Sequence, residues 1–173
     1  MILTVDIGNT ATTMGLYTPE GTLRFRGALK TDKNKTQDQL AIDLLDMFHL
    51  YQADIGEVTG GVISSVVPPM THAMAGAIRQ LSGVRPMIVG PGVKTGMNIL
   101  AEVHNQLGAD IVASSVAALQ KYPQPIIVID MGTATTLSYL GNNTYEGCVI
   151  IPGVRIAVEA LSGRAAELPH ISI

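Results

Sequence analysis

Two short stretches carry the residue types that phosphate chemistry needs, and they are near-copies of each other. Ile2–Thr13 reads ILTVDIGNTATT, and Ile126–Thr136 reads IIVIDMGTATT. Each is an apolar, β-branched run ending in Asp-x-Gly and then Thr-Ala-Thr-Thr. The runs suit buried strands. Gly8 and Gly132 allow a tight turn and the close approach of a ligand to the main chain. Threonine hydroxyls and turn amides can face a phosphate, and the aspartate can hold a cation beside it. A single Asp-x-Gly after a strand is an ordinary turn. Two copies that share both halves of the pattern carry far more weight.

The spacing between the copies slips by one residue between the Asp6/Asp130 and Thr10/Thr133 pairs. It far exceeds the roughly 20–50-residue period of a solenoid, so it predicts two similar domains. Two phosphate-type turns facing each other across a cleft are how one large family of kinases holds ATP. A third acidic candidate is Asp110, near the start of an expected helix, where the pattern reads as an N-cap or as a catalyst. Ser64 and Ser65 end an apolar run and read equally as substrate contacts or as capping hydroxyls. Lys94, in the loop Pro91–Gly96, reads as a phosphate contact or a solvated lysine.

The elements that must position these groups follow from the pattern. Ile2–Asp6, Thr12–Tyr17 and Leu23–Leu29 read as strands, with Pro19-Glu20-Gly21 as a turn. Thr36 can cap a helix running to about Leu50, with Leu40, Ile42, Leu44, Leu45 and Phe48 broadly on one face and Asp38 near its positive end. Val58–Val67 reads as a buried strand, Met70–Leu81 as a helix started by Pro68-Pro69, and Met87–Val89 as a short strand. Leu107–Tyr122 reads as a helix whose apolar stripe includes Ile111, Val112, Val116 and Leu119, with small residues that permit close packing. Pro123 and Pro125 bracket a boundary. Strands Ile126–Asp130, Ala134–Leu140 and Thr144–Ile150 follow, with a turn at Gly141-Asn142-Asn143, and then a helix from Pro152-Gly153 to near Gly163. The first unit thus reads β-β-β-α-β-α-β over residues 1–122. The second, residues 123–173, starts the same way and lacks the closing β-α-β, so either the chain continues or another chain completes its sheet.

Composition bounds the function classes. The 173 residues carry a net charge of -3, which argues against a nucleic-acid partner. Charged residues are 14%, against roughly 25% in an average protein, which points to buried subunit contacts. The single cysteine, Cys148, excludes an internal disulfide framework and reads as a small buried hydrophobe. His49, His72, His104 and His170 lack metal-ligand spacing. No signal peptide and no run of 18 apolar residues is found, so we expect a cytoplasmic protein with no membrane partner.

Taken together, these motifs resemble type III pantothenate kinases. The likeness runs over the whole sequence and rests on VDIGNT, GGVISSVVP, PGVKTG, GAD at Gly108–Asp110, DMGTATT, IIPG at Ile150–Gly153, EAL at Glu159–Leu161 and ELP at Glu167–Pro169. It implies an α/β protein of the actin/hexokinase-like fold, two ribonuclease-H-like halves of which the second is incomplete. It implies ATP-dependent phosphorylation of pantothenate, the opening step of coenzyme A synthesis. It also implies Mg²⁺, a monovalent cation (K⁺ or NH₄⁺), and a homodimer or a heteromer with a paralogue.

Carried over residue by residue, the resemblance makes Asp6, Ile7, Gly8, Asn9, Thr10, Ala11, Thr12 and Thr13 the first phosphate loop, with Asp6 near Mg²⁺. Thr133 would belong to the second phosphate contact, and Asp130 would bind the monovalent cation. Gly108, Ala109, Asp110 and Ile111 would line the pantothenate pocket, with Asp110 taking or orienting the proton of the attacking hydroxyl. Phosphoryl transfer depends on positioning and charge neutralisation, which these residue types supply. The sequence also departs from the family. Ile111 stands where arginine is usual, Ala101 replaces a tyrosine, Ser138 an aspartate, Glu146 a glycine and Ala165 a threonine. These departures imply a second possibility, a catalytically impaired paralogue acting as partner or regulatory subunit of a pantothenate kinase.

Overall fold

The computed structural model describes residues 1–90, 92–100 and 107–164. They fall into two compact units. One holds the described residues of Met1–Val93 and Gly108–Ala113, the other those of Lys94–Leu107 and Ser114–Ile173.

In the first unit, β1 (Ile2–Ile7), β2 (Ala11–Tyr17) and β3 (Leu23–Lys30) form an antiparallel meander. The β2–β3 turn closes through the Gly21 amide, which donates to the Thr18 carbonyl at 2.9 Å with Gly21 at φ 88°. Helix α1 (Gln37–Leu50) starts on a full capping box: Thr36 Oγ1 accepts from the Gln39 amide, and Gln39 Oε1 accepts from the Thr36 amide at 2.9 Å. Strand β4 (Gly60–Ser65) runs parallel to β1, and helix α2 (Pro68–Ser82) begins on two prolines, whose missing amides cost nothing in a first turn. Strand β5 (Met87–Ile88) completes the sheet order β3-β2-β1-β4-β5.

Alternation divides this sheet into two faces. Leu3, Val5, Ile7, Met14, Leu16 and Ile63 are buried on one face, in a single core with Leu40, Leu44 and Phe48 of α1 and Met70, Met74 and Ile78 of α2. Phe25 of β3 meets Phe48 edge-on at 5.3 Å and stacks on Tyr51 at 4.7 Å, which ties the edge strand to α1. The apolar face expected for α1 is corrected in part. Ile42 and Leu45 are exposed, and Ala41 and Met47 are buried instead, because positions 40, 41, 44, 47 and 48 form the stripe of period 3.6.

Helix α3 (Ala109–Lys121) gives its first turn to the first unit and the rest to the second. Its most buried residues are the small ones, Ala109, Ser115 and Ala118; the expected stripe Ile111, Val112, Val116, Leu119 is half-buried. In the second unit, β7 (Ile126–Met131), β8 (Ala134–Gly141) and β9 (Thr144–Pro152) repeat the meander, and α4 (Val154–Arg164) follows. Asn142 and Asn143 both take positive φ, the two-residue hairpin turn that asparagine tolerates. Strand β6 (Asn98–Ile99) was not legible from the pattern. It is two residues long and pairs in parallel with β9, giving the order β6-β9-β8-β7.

Two expectations are overturned here. The β7 run is not buried: Ile127, Ile129 and Met131 are 64%, 59% and 70% exposed. Strand β1 has neighbours on both edges and two helices over one face, whereas β7 is paired only with β8 among the described strands. Cys148 is likewise exposed, on the half of β9 where Val149, Ile150 and Ile151 are also uncovered.

Among its described residues the second unit has one fully buried aromatic residue, Tyr145. Burial, reinforced by the adjacent Cys148 thiol, pushes its phenol up to about 12, and Ser138 beside it acts in the opposite sense. An unfolded tyrosine ionises near 10. Between pH 10 and 12 the unfolded chain therefore binds fewer protons at this residue than the folded one, and stability must fall as pH rises through that window. Tyr145→Phe should flatten the fall in alkaline melts and remove the last step of the tyrosinate absorbance titration. A wild-type titration with no late step would contradict this.

Candidate active site

The two Asp-x-Gly turns are built alike within their own units. Asp6 pairs in register with Thr13, and Asp130 with Thr136, so each aspartate faces the last threonine of its motif across a hairpin. The one-residue slip lies in the loop. The Gly8 amide donates to the Ala11 carbonyl at 3.0 Å, and the Gly132 amide to the Ala134 carbonyl at 2.9 Å. Neither glycine adopts a positive φ. What they leave open is the approach to the main chain.

In the first turn, Asp6, Asn9, Thr10 and Ala11 are exposed, Gly8 and Thr13 half-buried, and Ile7 and Thr12 buried. Thr12 Oγ1 lies 2.9 Å from Thr31 Oγ1, which in turn donates to the Gly8 carbonyl at 2.7 Å. The Thr31 amide also donates to the Thr10 carbonyl at 3.0 Å. Thr31 thus clamps the loop from the end of β3. Sequence reasoning missed it, because no local motif marks a contact made across 23 positions. In the second turn, Asp130, Gly132 and Thr133 are all exposed. The Thr133 carbonyl accepts from the Gly153 amide at 3.0 Å, so the IIPG segment braces this turn as Thr31 braces the first.

Asp110 is the second residue of α3, not its N-cap. Its Oδ1 accepts from the Ile111 amide at 2.8 Å. A Cβ on Gly108 would collide with this carboxylate and would stand 3.7 Å from Val66 Cγ1. Glycine at 108 therefore gives the Asp110 side chain room, and the helix start lies beside the residue that follows β4. Val66 itself donates to the Ile7 carbonyl at 3.0 Å, so the ends of β1 and β4 and the start of α3 adjoin within the first unit. Ala109 is buried, Gly108 and Ile111 half-buried.

Ser65 is used locally. Its Oγ accepts from the Val67 amide at 3.1 Å and from Thr71 Oγ1 at 2.8 Å. Ser64 Oγ is buried with no partner among the described residues. Lys94 is exposed. Ser138 is buried and Glu146 exposed, whereas Ala101 and Ala165 lie outside the described residues. No group of three or more His, Cys, Asp or Glu side chains is clustered among the described residues. Mg²⁺ does not require one, since it keeps several waters and takes one or two carboxylates plus phosphate oxygens. An exposed Asp6 at the end of β1 fits that demand. Asp130, an exposed carboxylate beside the exposed residues Gly132 and Thr133, fits an oxygen-ligated monovalent cation.

Residues 2–173 match the family model described as type III pantothenate kinase. The chain belongs to the type III pantothenate kinase family. The type III pantothenate kinase of Listeria innocua is 41% identical over 174 residues, covering 100% of this chain and 67% of that protein. That of Halalkalibacterium halodurans is 42% identical, again over 100% of this chain and 68% of its own length. The chain thus spans about two thirds of the length of these kinases. Among solved structures, the ethanolamine utilization protein EutJ of Carboxydothermus hydrogenoformans superposes with a TM-score of 0.53 at 14% identity, over 93% of this chain and 55% of EutJ. That likeness concerns the fold alone, which is the α/β actin/hexokinase-like fold. No helix among the described residues of this pantothenate kinase relative is long and apolar enough to cross a membrane.

Proposed function

We propose that this chain transfers the terminal phosphoryl group of ATP to the hydroxyl of pantothenate, giving 4′-phosphopantothenate at the start of coenzyme A synthesis. The observation that carries the reading is the match to the family over residues 2–173, with both Asp-x-Gly hairpins formed. Residues 6–13 hold the phosphates, largely through the exposed turn Asn9–Ala11, since the Gly8 amide is engaged with the Ala11 carbonyl and the Thr12 hydroxyl with Thr31. Asp6 holds Mg²⁺, and Thr133 supplies the second phosphate contact. Mg²⁺, when bound, would supply positive charge that neutralises the phosphates. Asp130 holds K⁺ or NH₄⁺. Gly108, Ala109, Asp110 and Ile111 line the acceptor pocket, and Asp110 orients the attacking hydroxyl and takes its proton late. The exposed apolar residues of β7 and β9 favour a homodimer, or a heteromer with a paralogue.

Purified protein given ATP, Mg²⁺, K⁺ and pantothenate should form ADP and phosphopantothenate in equal amounts. ADP without a phosphorylated acid, or no turnover, would count against the reading. A second reading, an impaired partner subunit, is favoured by Ile111: an uncharged side chain stands one position after Asp110, where an arginine would bring a fixed cation. Under that reading Ile111→Arg leaves turnover at zero, and co-expression with a competent kinase gives a mixed dimer.

A further inference from the structure

We infer that the Ser64 hydroxyl is a further nucleotide-binding group, a hydrogen-bond donor to a phosphoryl oxygen of the nucleotide held at Asp6. This rests on the reading of residues 6–13 as the first phosphate loop. The registers place Thr13, Asp6 and Ser64 side by side on three adjacent strands, β2, β1 and β4. Paired residues share a face, so all three project from the side of the sheet opposite the apolar core. It is the last such row before β1 ends at Ile7 and β4 at Ser65. In open α/β sheets ligands bind beyond the carboxyl ends of the strands.

Ser64 is only 7% exposed, and its oxygen has no hydrogen-bond partner among the described residues. An unpaired buried hydroxyl is a cost that alanine would avoid at the same volume. Its neighbour shows what a structural serine does here. Ser65 Oγ is tied to Val67 and Thr71, where it shapes the start of α2. Ser64 does none of this. Asp6 lies beside it on β1, and Val66, two residues further on, stands 3.7 Å from where a Cβ on Gly108 would lie. A phosphoryl oxygen is acceptor-only, and a serine hydroxyl in this position can donate to it.

The test uses the full chain with Mg²⁺ and a non-hydrolysable ATP analogue, followed by thermal melts and calorimetry. Ser64→Ala should melt at or above the wild-type temperature without nucleotide, should show a smaller nucleotide-induced rise, and should bind about tenfold more weakly. Ser64→Thr, which keeps the hydroxyl, should restore most of the rise. Ser65→Ala should lower the ligand-free melting temperature and leave the rise unchanged. An equal rise in wild type and Ser64→Ala overturns the inference and assigns the hydroxyl to a buried water. A lower ligand-free melt with an unchanged rise overturns it in favour of a structural role. A wild-type protein with no rise at all overturns the nucleotide reading and this inference together.

Discussion

Replacing Asp110 by asparagine is expected to lower kcat by about two to four orders of magnitude with the fold unchanged. The structure makes this a clean substitution. The carboxylate lies at the second position of α3, and among the described residues its Oδ1 accepts from the Ile111 amide at 2.8 Å. An asparagine oxygen can keep that bond, so melting should shift by no more than about 0.5 kcal/mol. What is lost, on the proposed role of Asp110, is the charge and the proton acceptor for the substrate hydroxyl. Affinity for Mg²⁺ and ATP should survive, because those ligands are assigned to the other end of the reaction. If nucleotide affinity fell in step with kcat, Asp110 would belong to the phosphate site instead. Gly108→Ala is a graded companion. Its methyl would occupy the space of the Asp110 carboxylate, so it displaces the group without removing it. Its kcat should lie between wild type and Asp110→Asn.

The sequence made the local devices legible and the non-local ones opaque. The helix cap at Thr36, the prolines opening α2 and the asparagine hairpin turn each depend on residues within a few positions, and each formed as expected. Both Asp-x-Gly hairpins were readable for the same reason, together with their duplication. Burial was harder. The apolar runs of β1 and β7 are nearly identical in type, yet one is a central strand and the other is half uncovered, because burial is set by the neighbours that reach a strand. Strand β6 exists only through its pairing with β9, so two residues gave no periodic signal. Thr31, and the contact that Gly153 makes with Thr133, escaped notice because each acts on a loop distant in sequence. Ser64 and Ser65 could not be told apart by pattern; the helix start at α2 is what claims one and leaves the other.

Two glycines of the second unit should respond to a single methyl group in opposite ways. Gly153 is buried at the junction of β9 and α4, where its amide donates to the Thr133 carbonyl and its carbonyl accepts from Ala157 at 2.9 Å. A Cβ there would run into the carbonyl oxygens of both Gly132 and Thr133. Neither is the tip of a flexible side chain, so the whole turn after Asp130 must move. Gly153→Ala should therefore destabilise the protein by about 2–3 kcal/mol, at the upper end of overpacking costs, read as a lower urea midpoint at constant slope. At Gly132 a Cβ would meet only the Ala134 carbonyl, at an ordinary 3.5 Å, and φ is not positive. Gly132→Ala should change stability by less than about 0.5 kcal/mol. If this turn carries the second phosphate contact, that silent methyl stands where the nucleotide must come close to the backbone, and nucleotide affinity should fall although the melt does not. Equal destabilisation by both substitutions would refute the packing argument. A Gly132→Ala protein with unchanged stability and unchanged nucleotide affinity would remove the second turn from the phosphate site.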